Sequence, residues 1–263
     1  MDDRISALDN NKIDQPHLAT DAHHSPATQL PVVDGYTFIR KLGHGSQADV
    51  WLAQRIADSR KVAIKCLNIE SVKNWKEYEL FQREASVLAT LDIDGVAKFY
   101  EAIDRLDDNP PCAYIFQEYI EGHSLADMIK SGHRFSINAI YNIVLQLIDI
   151  LQKLHTHEPP VIHRDLKPSN ILIKQDDGKD KVYLIDFGAV ANPQVQSGGS
   201  TVAGTFGYMP PEQLMGKPVP ASDIYALAAV AVHLITGIFR PKYRTKISTS
   251  SLNHRCRICR SQS

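Results

Sequence analysis

The stretch HRDLKPSN at 163–170, followed by DFG at 186–188, decides how this chain is interpreted. Short apolar runs, ILIK (171–174) and KVYLID (181–186), flank the turn-forming sequence DDG (176–178). Runs of this kind on either side of a turn are typical of a β-hairpin. The sequence therefore predicts a small hairpin with carboxylate, amide and lysine side chains on the loops beside it.

The segment upstream of this stretch is rich in strand signals. Short apolar runs predict strands at 36–42, 48–53, 61–67 and 112–120. Along the third of these, KVAIKCL, a period of two places Ala63 and Lys65 on one face and the more apolar side chains on the other. A helix is expected between the third and fourth strands, at 75–91.

One residue of that helix is unusual because of its neighbours. Glu84 shares a face with Phe81, Ala85 and Leu88, which recur with helical spacing. Burying a carboxylate without a partner is costly. We therefore expect Glu84 to have a partner in the folded chain.

The segment from 124 onward is rich in helix signals. SLAD (124–127) is a capping box that opens a short helix, and apolar residues from Ile137 to Leu151 recur as in a long amphipathic helix. The run 223–237 is apolar on all sides, so we expect a buried helix there. It is too short for a bilayer, and no membrane span is expected.

The composition argues against several classes of function. The chain has 29 basic and 30 acidic residues, but seven of the basic ones lie in 238–263, which leaves 22 against 30 elsewhere. This net charge of −8 argues against nucleic acid as a partner. The four cysteines show no disulfide framework, and the chain does not start with an apolar signal segment, so a cytoplasmic location is expected. Residues 1–35 are polar and are predicted to be a disordered leader.

The motifs GHGSQADV (43–50), VAIK (62–65), HRDLKPSN and DFG, in this order, resemble the protein kinase family, and specifically the bacterial eukaryotic-like serine/threonine kinases. The resemblance covers about 36–237. It implies an α+β, bilobal, protein-kinase-like fold with a small β-rich N-lobe at about 36–120 and a helical C-lobe at about 121–237. It also implies transfer of the γ-phosphate of ATP to a protein serine or threonine, with Mg²⁺ or Mn²⁺ as the metal.

The resemblance assigns roles to the residues of the central stretch. Asp165 would accept the proton of the attacking hydroxyl, and Lys167 would stabilise the transferred phosphoryl group. Asn170 and Asp186 would hold the metal ion, because amide and carboxylate oxygens suit such a hard cation. Asp223 would hold the catalytic loop through backbone N–H groups.

The resemblance also pairs the N-lobe lysine with the helix acid. Lys65 would bind the α- and β-phosphates, and Glu84 would be its partner. The alternative that the partner of Lys65 is another acid of the same helix, Glu77 or Glu79, stays open.

The nucleotide site is expected between the two lobes. The loop 43–50 would cover the phosphates, with Ala48 in place of the third glycine of the family pattern. The carbonyl of Glu118 and the N–H of Ile120 would hydrogen-bond the adenine. The full set of expected nucleotide-binding residues is Leu42, Gly43, His44, Gly45, Ser46, Gln47, Ala48, Val50, Ala63, Lys65, Glu118, Ile120, Leu172 and Asp186.

The segment after DFG bears on substrate and regulation. Lys167 and GTFGYMPPE (204–212) match the pattern of kinases that act on serine or threonine. Ser197, Ser200 and Thr201 are candidate autophosphorylation sites, and Arg164 could pair with such a phosphate. The alternative that these three side chains are ordinary loop hydroxyls stays open.

The family pattern is lost after Gly237. Residues 238–263 are basic, rich in serine and without helical period, and we expect them to be a non-family tail on a C-lobe that is truncated. Two hypotheses about function therefore stay open. The chain is either an active serine/threonine kinase or an inactive or weakly active, truncated kinase-like protein that acts by binding.

Overall fold

The computed structural model describes residues 31–44, 48–190 and 203–237, with the side chain of His44 left out. The first half is β-rich, as expected. Its elements are β1 (Tyr36–His44), β2 (Asp49–Arg55), β3 (Lys61–Asn68), α1 (Trp75–Leu88), β4 (Phe99–Arg105) and β5 (Cys112–Glu118). The five strands form one antiparallel sheet in the order β1-β2-β3-β5-β4.

Strand β3 shows how the sequence sets the two faces of this sheet. Val62, Ile64 and Cys66 are buried, whereas Ala63 and Lys65 on the other face are half-buried. The buried side chains pack with Trp51 of β2 and aromatic residues of β5. The period-two prediction for this strand is confirmed, and it places Lys65 on the face opposite that apolar cluster.

Strand β4 was not expected from the sequence. It pairs with β5 at the edge of the sheet, and its sequence FYEAIDR contains no fully buried residue. An edge strand that buries little has a weak hydrophobic period, because half of its environment is solvent.

The second half is mainly helical. Its elements are β6 (His123–Ser124), α2 (Leu125–Lys130), α3 (Ile137–His155), β7 (Ile171–Asp176), β8 (Lys179–Leu184), α4 (Pro211–Leu214) and α5 (Pro220–Thr236). The predicted hairpin is β7–β8, and β6 adds a short third strand to it. Helix α2 begins after Ser124, whose hydroxyl accepts a hydrogen bond from the Asp127 N–H, as in a capping box. The α+β, bilobal expectation is confirmed for the part of the chain that is described.

The core of the second half lies between α3, α5 and the hairpin. Helix α3 buries an apolar stripe that includes Ile143, Leu147 and Leu154, and it packs against α5 and β8. Among the residues that the structure describes, no helix is both long and apolar enough to cross a membrane.

Helix α5 corrects one expectation. Its apolar sequence predicted burial on all sides, but Ile224, Val232 and Ile235 are 47, 57 and 59% exposed. Burial is confined to one face, which includes Asp223, Leu227 and Val230. In the described ranges, that face meets α3, the loop before β7 and α4. An apolar composition does not indicate how many neighbours a helix has.

Candidate active site

A cluster of three charged side chains, two of them largely buried and the third, Asp186, 40% exposed, joins the two halves of the chain. The Lys65 Nζ lies 2.8 and 2.7 Å from the two carboxylate oxygens of Glu84 and 2.9 Å from Asp186 Oδ1. Side-chain exposure is 13% for Lys65 and 2% for Glu84. Glu84 therefore makes the contact with Lys65, and neither Glu77 nor Glu79 does.

Burial and charge act in opposite directions on these groups. Burial alone would lower the pKa of Lys65, but the carboxylates of Glu84 and Asp186 outweigh it and raise that pKa. Burial raises the pKa of Glu84 in spite of the nearby ammonium. Burial would also raise the pKa of Asp186, yet the attraction and hydrogen bond of Lys65 bring it down to about 2. Lys65 is thus a cation and Asp186 an anion at neutral pH.

The cluster leaves little room for a side chain at the glycine of DFG. A methyl group at Gly188 would lie 3.3 Å from each of Asp186 Oδ1, Glu84 Oε2 and Lys65 Nζ. This is tighter than ordinary van der Waals contact, so the charged atoms would have to move by a few tenths of an ångström. Asp186 itself has a φ of 64°, in the left-handed region that is strained for most residues.

A second polar cluster surrounds Asp165. Lys167 Nζ lies 2.6 Å from Asp165 Oδ2 and donates to the Thr205 hydroxyl at 3.1 Å. The Thr205 hydroxyl in turn donates to Asp165 Oδ1 at 2.7 Å. The side chain of Asp165 is 13% exposed, so these contacts are shielded from bulk water. Asp165 and Lys167 thus meet a residue of the later segment 203–210.

Asn170 lies at the base of the same loop. Its side-chain N–H₂ donates to the backbone carbonyl of Asp165 at 2.9 Å, which fixes the orientation of the amide. The amide oxygen accepts a 3.4 Å hydrogen bond from the Ser169 hydroxyl and has a second lone pair for a ligand. The backbone C=O of Asn170 accepts a hydrogen bond from the Ile185 N–H, so Asn170 is tied to the residue before Asp186.

Asn170 and Asp186 fit a magnesium ion by the chemistry of their side-chain oxygens. Mg²⁺ is usually held by one or two protein oxygens together with phosphate oxygens and water. In the described ranges there is no group of three or more His, Cys, Asp or Glu side chains that could hold a metal ion. An amide oxygen on Asn170 and a carboxylate on Asp186 are the set that a metal bound to phosphates needs.

Helix α5 holds the loop that carries Asp165 through two hydrogen bonds to its backbone. Asp223, which is fully buried, accepts hydrogen bonds from the N–H groups of His163 and Arg164, both at 2.9 Å. The role expected for Asp223 is confirmed. His155 Nε2 lies 2.8 Å from the same carboxylate, a contact that sequence analysis missed. Because His155 ends an amphipathic helix, its local pattern carries no sign of this distant partner.

The expected adenine site lies where the sheet meets the second half of the chain. Val50 pairs with Lys65 across β2 and β3, and Ala63 pairs with Gln117 across β3 and β5. Leu172 of β7 packs against the small cluster that contains Ile120. Strand β5 ends at Glu118, whose N–H already donates to the carbonyl of Lys98.

Part of the expected site falls outside the described residues. Gly45, Ser46 and Gln47 of the glycine loop, the candidate phosphorylation sites Ser197, Ser200 and Thr201, and the segment 238–263 all lie there. Of the rest of that loop, Ala48 is buried, at 3% exposure, and packs in the main core.

One buried polar residue near the site was missed by the sequence analysis. Gln213, in α4, is 1% exposed, and its amide nitrogen donates to the carbonyls of Arg164 and Ala203. Nothing in the local sequence PPEQL indicates this, because both partners are distant along the chain and both are backbone groups.

Comparison with known proteins agrees with this geometry. The protein kinase domain family matches residues 36–262 of the chain. The chain is 34% identical over 220 residues to "Serine/threonine-protein kinase PknA" of Nostoc sp., which covers 77% of this chain and 37% of that protein. It is 34% identical over 228 residues to "Serine/threonine-protein kinase C" of Synechocystis sp., which covers 81% and 41%.

A relative from another group of bacteria gives the same result. The chain is 33% identical over 206 residues to "Serine/threonine-protein kinase PrkC" of Bacillus subtilis, covering 77% of this chain and 30% of that protein. The chain spans about a third of the length of the curated relatives that it matches.

Proposed function

The chain belongs to the protein kinase family, and from this premise we propose that it transfers the γ-phosphate of ATP to a serine or threonine hydroxyl of a protein. The observation that carries the proposal is the contact of Asp165 with both Lys167 and Thr205. A carboxylate, an ammonium and a hydroxyl within hydrogen-bonding distance can take up a proton and stabilise negative charge at one place.

In the proposed reaction the substrate hydroxyl oxygen bonds to the γ-phosphorus, and the bond from that phosphorus to the β–γ bridging oxygen breaks. The hydroxyl proton goes to the carboxylate of Asp165, and ADP carries away the bridging oxygen. Lys167, 2.6 Å from Asp165, places a positive charge beside the transferred group. Thr205 orients the carboxylate through its hydrogen bond to Oδ1, which is kept as the substrate hydroxyl approaches.

The N-lobe cluster is proposed to bind the phosphates of ATP. Lys65 remains protonated because the neighbouring carboxylates raise its pKa, and it is held in place by the nearly inaccessible Glu84. A flexible lysine would lose rotamer freedom on binding, whereas this one is already fixed. Lys65 therefore presents a positioned cation to the α- and β-phosphates.

Asn170 and Asp186 are the proposed ligands of Mg²⁺ or Mn²⁺. When bound, such an ion would neutralise negative charge on the phosphate oxygens. The contribution of the chain is to hold the two oxygens. The amide of Asn170 is oriented by the Asp165 carbonyl, and the carboxylate of Asp186 is kept ionised by Lys65.

The adenine is proposed to lie between the N-lobe sheet and β7. Val50 and Ala63 on the sheet and Leu172 on β7 are half-buried apolar side chains that would contact the base, and Leu42 would lie at the edge. The backbone of Glu118 and Ile120 would supply the hydrogen bonds to the base. Protein substrates, regulation by phosphate on Ser197, Ser200 or Thr201, and a cytoplasmic location are part of the same proposal.

The test is transfer of labelled phosphate. Purified chain is incubated with γ-labelled ATP, Mg²⁺ and a generic basic protein, with the Asp165→Asn variant as control. The proposal expects label on serine or threonine of the basic protein, or of the chain itself, with the wild type only. Binding of ATP without transfer would instead favour the kinase-like protein that acts by binding.

A further inference from the structure

The backbone of Arg164, the residue just before Asp165, is held on both its N–H and its C=O by buried side chains. Arg164 has a φ of 68°, in the left-handed region that is unfavourable for a residue with a side chain. Its N–H donates to Asp223, and its C=O accepts a 2.5 Å hydrogen bond from the amide nitrogen of Gln213. A strained conformation of this kind persists only where the surroundings enforce it.

The same amide nitrogen has a second acceptor in another segment. Gln213 Nε2 also donates to the backbone carbonyl of Ala203 at 2.6 Å. A glutamine N–H₂ group has two hydrogens to donate, and here both are used. One side chain therefore links the residue before Asp165 to a residue two positions before Thr205.

The link is closely packed. Gly204, between Ala203 and Thr205, has a φ of 122°. A methyl group on it would lie 2.5 Å from Gln213 Nε2 and 2.7 Å from the Arg164 carbonyl oxygen. A glycine is thus required at this position by both the backbone conformation and the space.

Gln213 is also anchored to the helix that holds the catalytic loop. Its neighbour Glu212 accepts a 2.9 Å hydrogen bond from the hydroxyl of Ser222, which is the residue before Asp223. Helix α5 thus supports the Arg164 peptide twice, directly through Asp223 and indirectly through α4. The relative position of the loop and the segment at 203–205 is therefore set by side chains that do not meet the substrate.

We propose that Gln213 is a positioning residue for phosphoryl transfer, which acts by holding the Arg164 and Ala203 carbonyls together so that Thr205 meets Asp165. This inference rests on the proposed function for its effect on turnover. The amide nitrogen of Gln213 hydrogen-bonds two backbone carbonyls, and its effect on the reaction passes through Asp165 and Thr205. A shift of about 1 Å in such a group can cost about 100-fold in rate.

The test compares Gln213→Leu with a matched control. Gln146 also bridges two backbone groups, since it donates to the Asp180 carbonyl and accepts from the Val182 N–H, both at 3.0 Å, but it ties α3 to β8. Gln213→Leu is expected to lower kcat by about 10- to 100-fold with a KM for ATP changed less than about 2-fold. Gln146→Leu is expected to lower the melting temperature while keeping kcat within about 2-fold of wild type.

A shape-conserving variant separates positioning from mere packing. In Gln213→Glu an ionised carboxylate faces two carbonyl oxygens, whereas the protonated acid can donate to one of them. The ratio of its kcat to that of wild type is expected to rise as the pH is lowered from about 8 to 6. A residue that only fills space would give a ratio that does not vary with pH. If Gln213→Leu does not fold, Gln213→Asn, which keeps the donor but lacks its reach, takes its place.

Hydrogen exchange gives a readout that does not need activity. Exchange of the backbone amides at 164–165 and 204–208 is expected to be faster in Gln213→Leu than in wild type or Gln146→Leu. If wild type transfers no phosphate, the proposed function fails and exchange alone decides on Gln213. Unchanged exchange, a loss of kcat no greater than in Gln146→Leu, or a Gln213→Glu ratio that does not vary with pH would overturn the positioning role.

Discussion

The hydroxyl of Thr205 donates a 2.7 Å hydrogen bond to Asp165 Oδ1, although forty positions of the chain separate the two residues. Lys167 contacts both of them, and Asn170 contacts the backbone carbonyl of Asp165. Both oxygens of the Asp165 carboxylate are therefore engaged before a substrate arrives. Thr205 orients this carboxylate, and in the proposed reaction the substrate hydroxyl shares the carboxylate with it.

Replacing Thr205 by valine tests that relationship, because valine keeps the shape and removes the hydroxyl. A hydrogen bond to a charged group contributes about 1.5–3 kcal/mol. If the bond is maintained as the substrate reacts, its loss corresponds to a fall in kcat of about 10- to 100-fold. Steady-state kinetics with ATP and a protein substrate measure kcat and KM separately.

Thr205→Ser is the matched control, since serine retains the hydroxyl without the methyl group. It is expected to keep kcat within a few-fold of wild type. A Thr205→Ser variant as impaired as Thr205→Val would show that the methyl group rather than the hydrogen bond matters at this position.

The Asp165→Asn variant is expected to lose transfer while still binding nucleotide. Asp165 contacts Lys167 and Thr205 rather than the Lys65 cluster, and asparagine cannot accept the hydroxyl proton. General-base contributions are about 10²- to 10⁴-fold in rate. Single-turnover transfer and the Kd for ATP with Mg²⁺ are the two measurements. Full turnover by the variant would remove Asp165 from its proposed role.

Lys65→Ala is expected to lower both stability and nucleotide binding. The change leaves Glu84, with a side-chain exposure of 2%, without the cation that compensates its burial. Breaking such a buried pair typically costs about 3–5 kcal/mol. Thermal unfolding is measured with no ligand, with ATP alone, and with ATP and Mg²⁺. Wild type is expected to be stabilised most by ATP with Mg²⁺, and the variant little by either.

The control for Lys65 lies on the same strand. Lys61 pairs with Glu121 at 3.1 Å, but the two side chains are 49% and 73% exposed. Exposed pairs contribute about 0–1 kcal/mol, so Lys61→Ala is expected to unfold and bind ATP much as wild type does. Equal stabilisation of wild type and Lys65→Ala by metal-free ATP would contradict the proposed phosphate site.

The sequence predicted those features of the site that leave a local mark. Glu84 could be identified because a carboxylate within an apolar helix face must have a partner. The period of two along β3 indicated the face on which Lys65 lies, and the resemblance to protein kinases indicated its pairing with Glu84. The structure brings the two together at 2.7 Å, as expected.

Other features could not be predicted because they depend on neighbours that are distant along the chain. His155 and Gln213 are polar residues whose partners lie 68 and 49 positions away. Strand β4 was not predicted because it is an edge strand, whose hydrophobic period is weak. The apolar sequence of α5 predicted burial on all sides, yet exposure depends on which elements pack against it. Local periodicity indicates which face of an element is apolar, and only the fold decides what covers it.

The contact between Tyr208 and His233 predicts a stability change in the range of neutral to mildly acidic pH. The Tyr208 hydroxyl lies 2.8 Å from His233 Nδ1, and burial lowers the pKa of His233 below its usual value of about 6.5. As the pH falls through about 6.5, the unfolded chain binds a proton at this histidine and the folded chain does not. The free energy of unfolding therefore decreases until the pH falls below the pKa of the folded state.

His233→Asn removes this titration while keeping an acceptor near the Tyr208 hydroxyl. The free energy of unfolding is measured by urea at about pH 7.5 and 5.5 for wild type and the variant. Wild type is expected to lose more stability than the variant over this interval, by at most about 1.4 kcal/mol per pH unit for one proton. His123→Asn, which alters an exposed histidine of β6, serves as the control and should follow wild type. The prediction fails if wild type and His233→Asn lose stability equally between the two pH values, because the other titrating groups are common to both proteins.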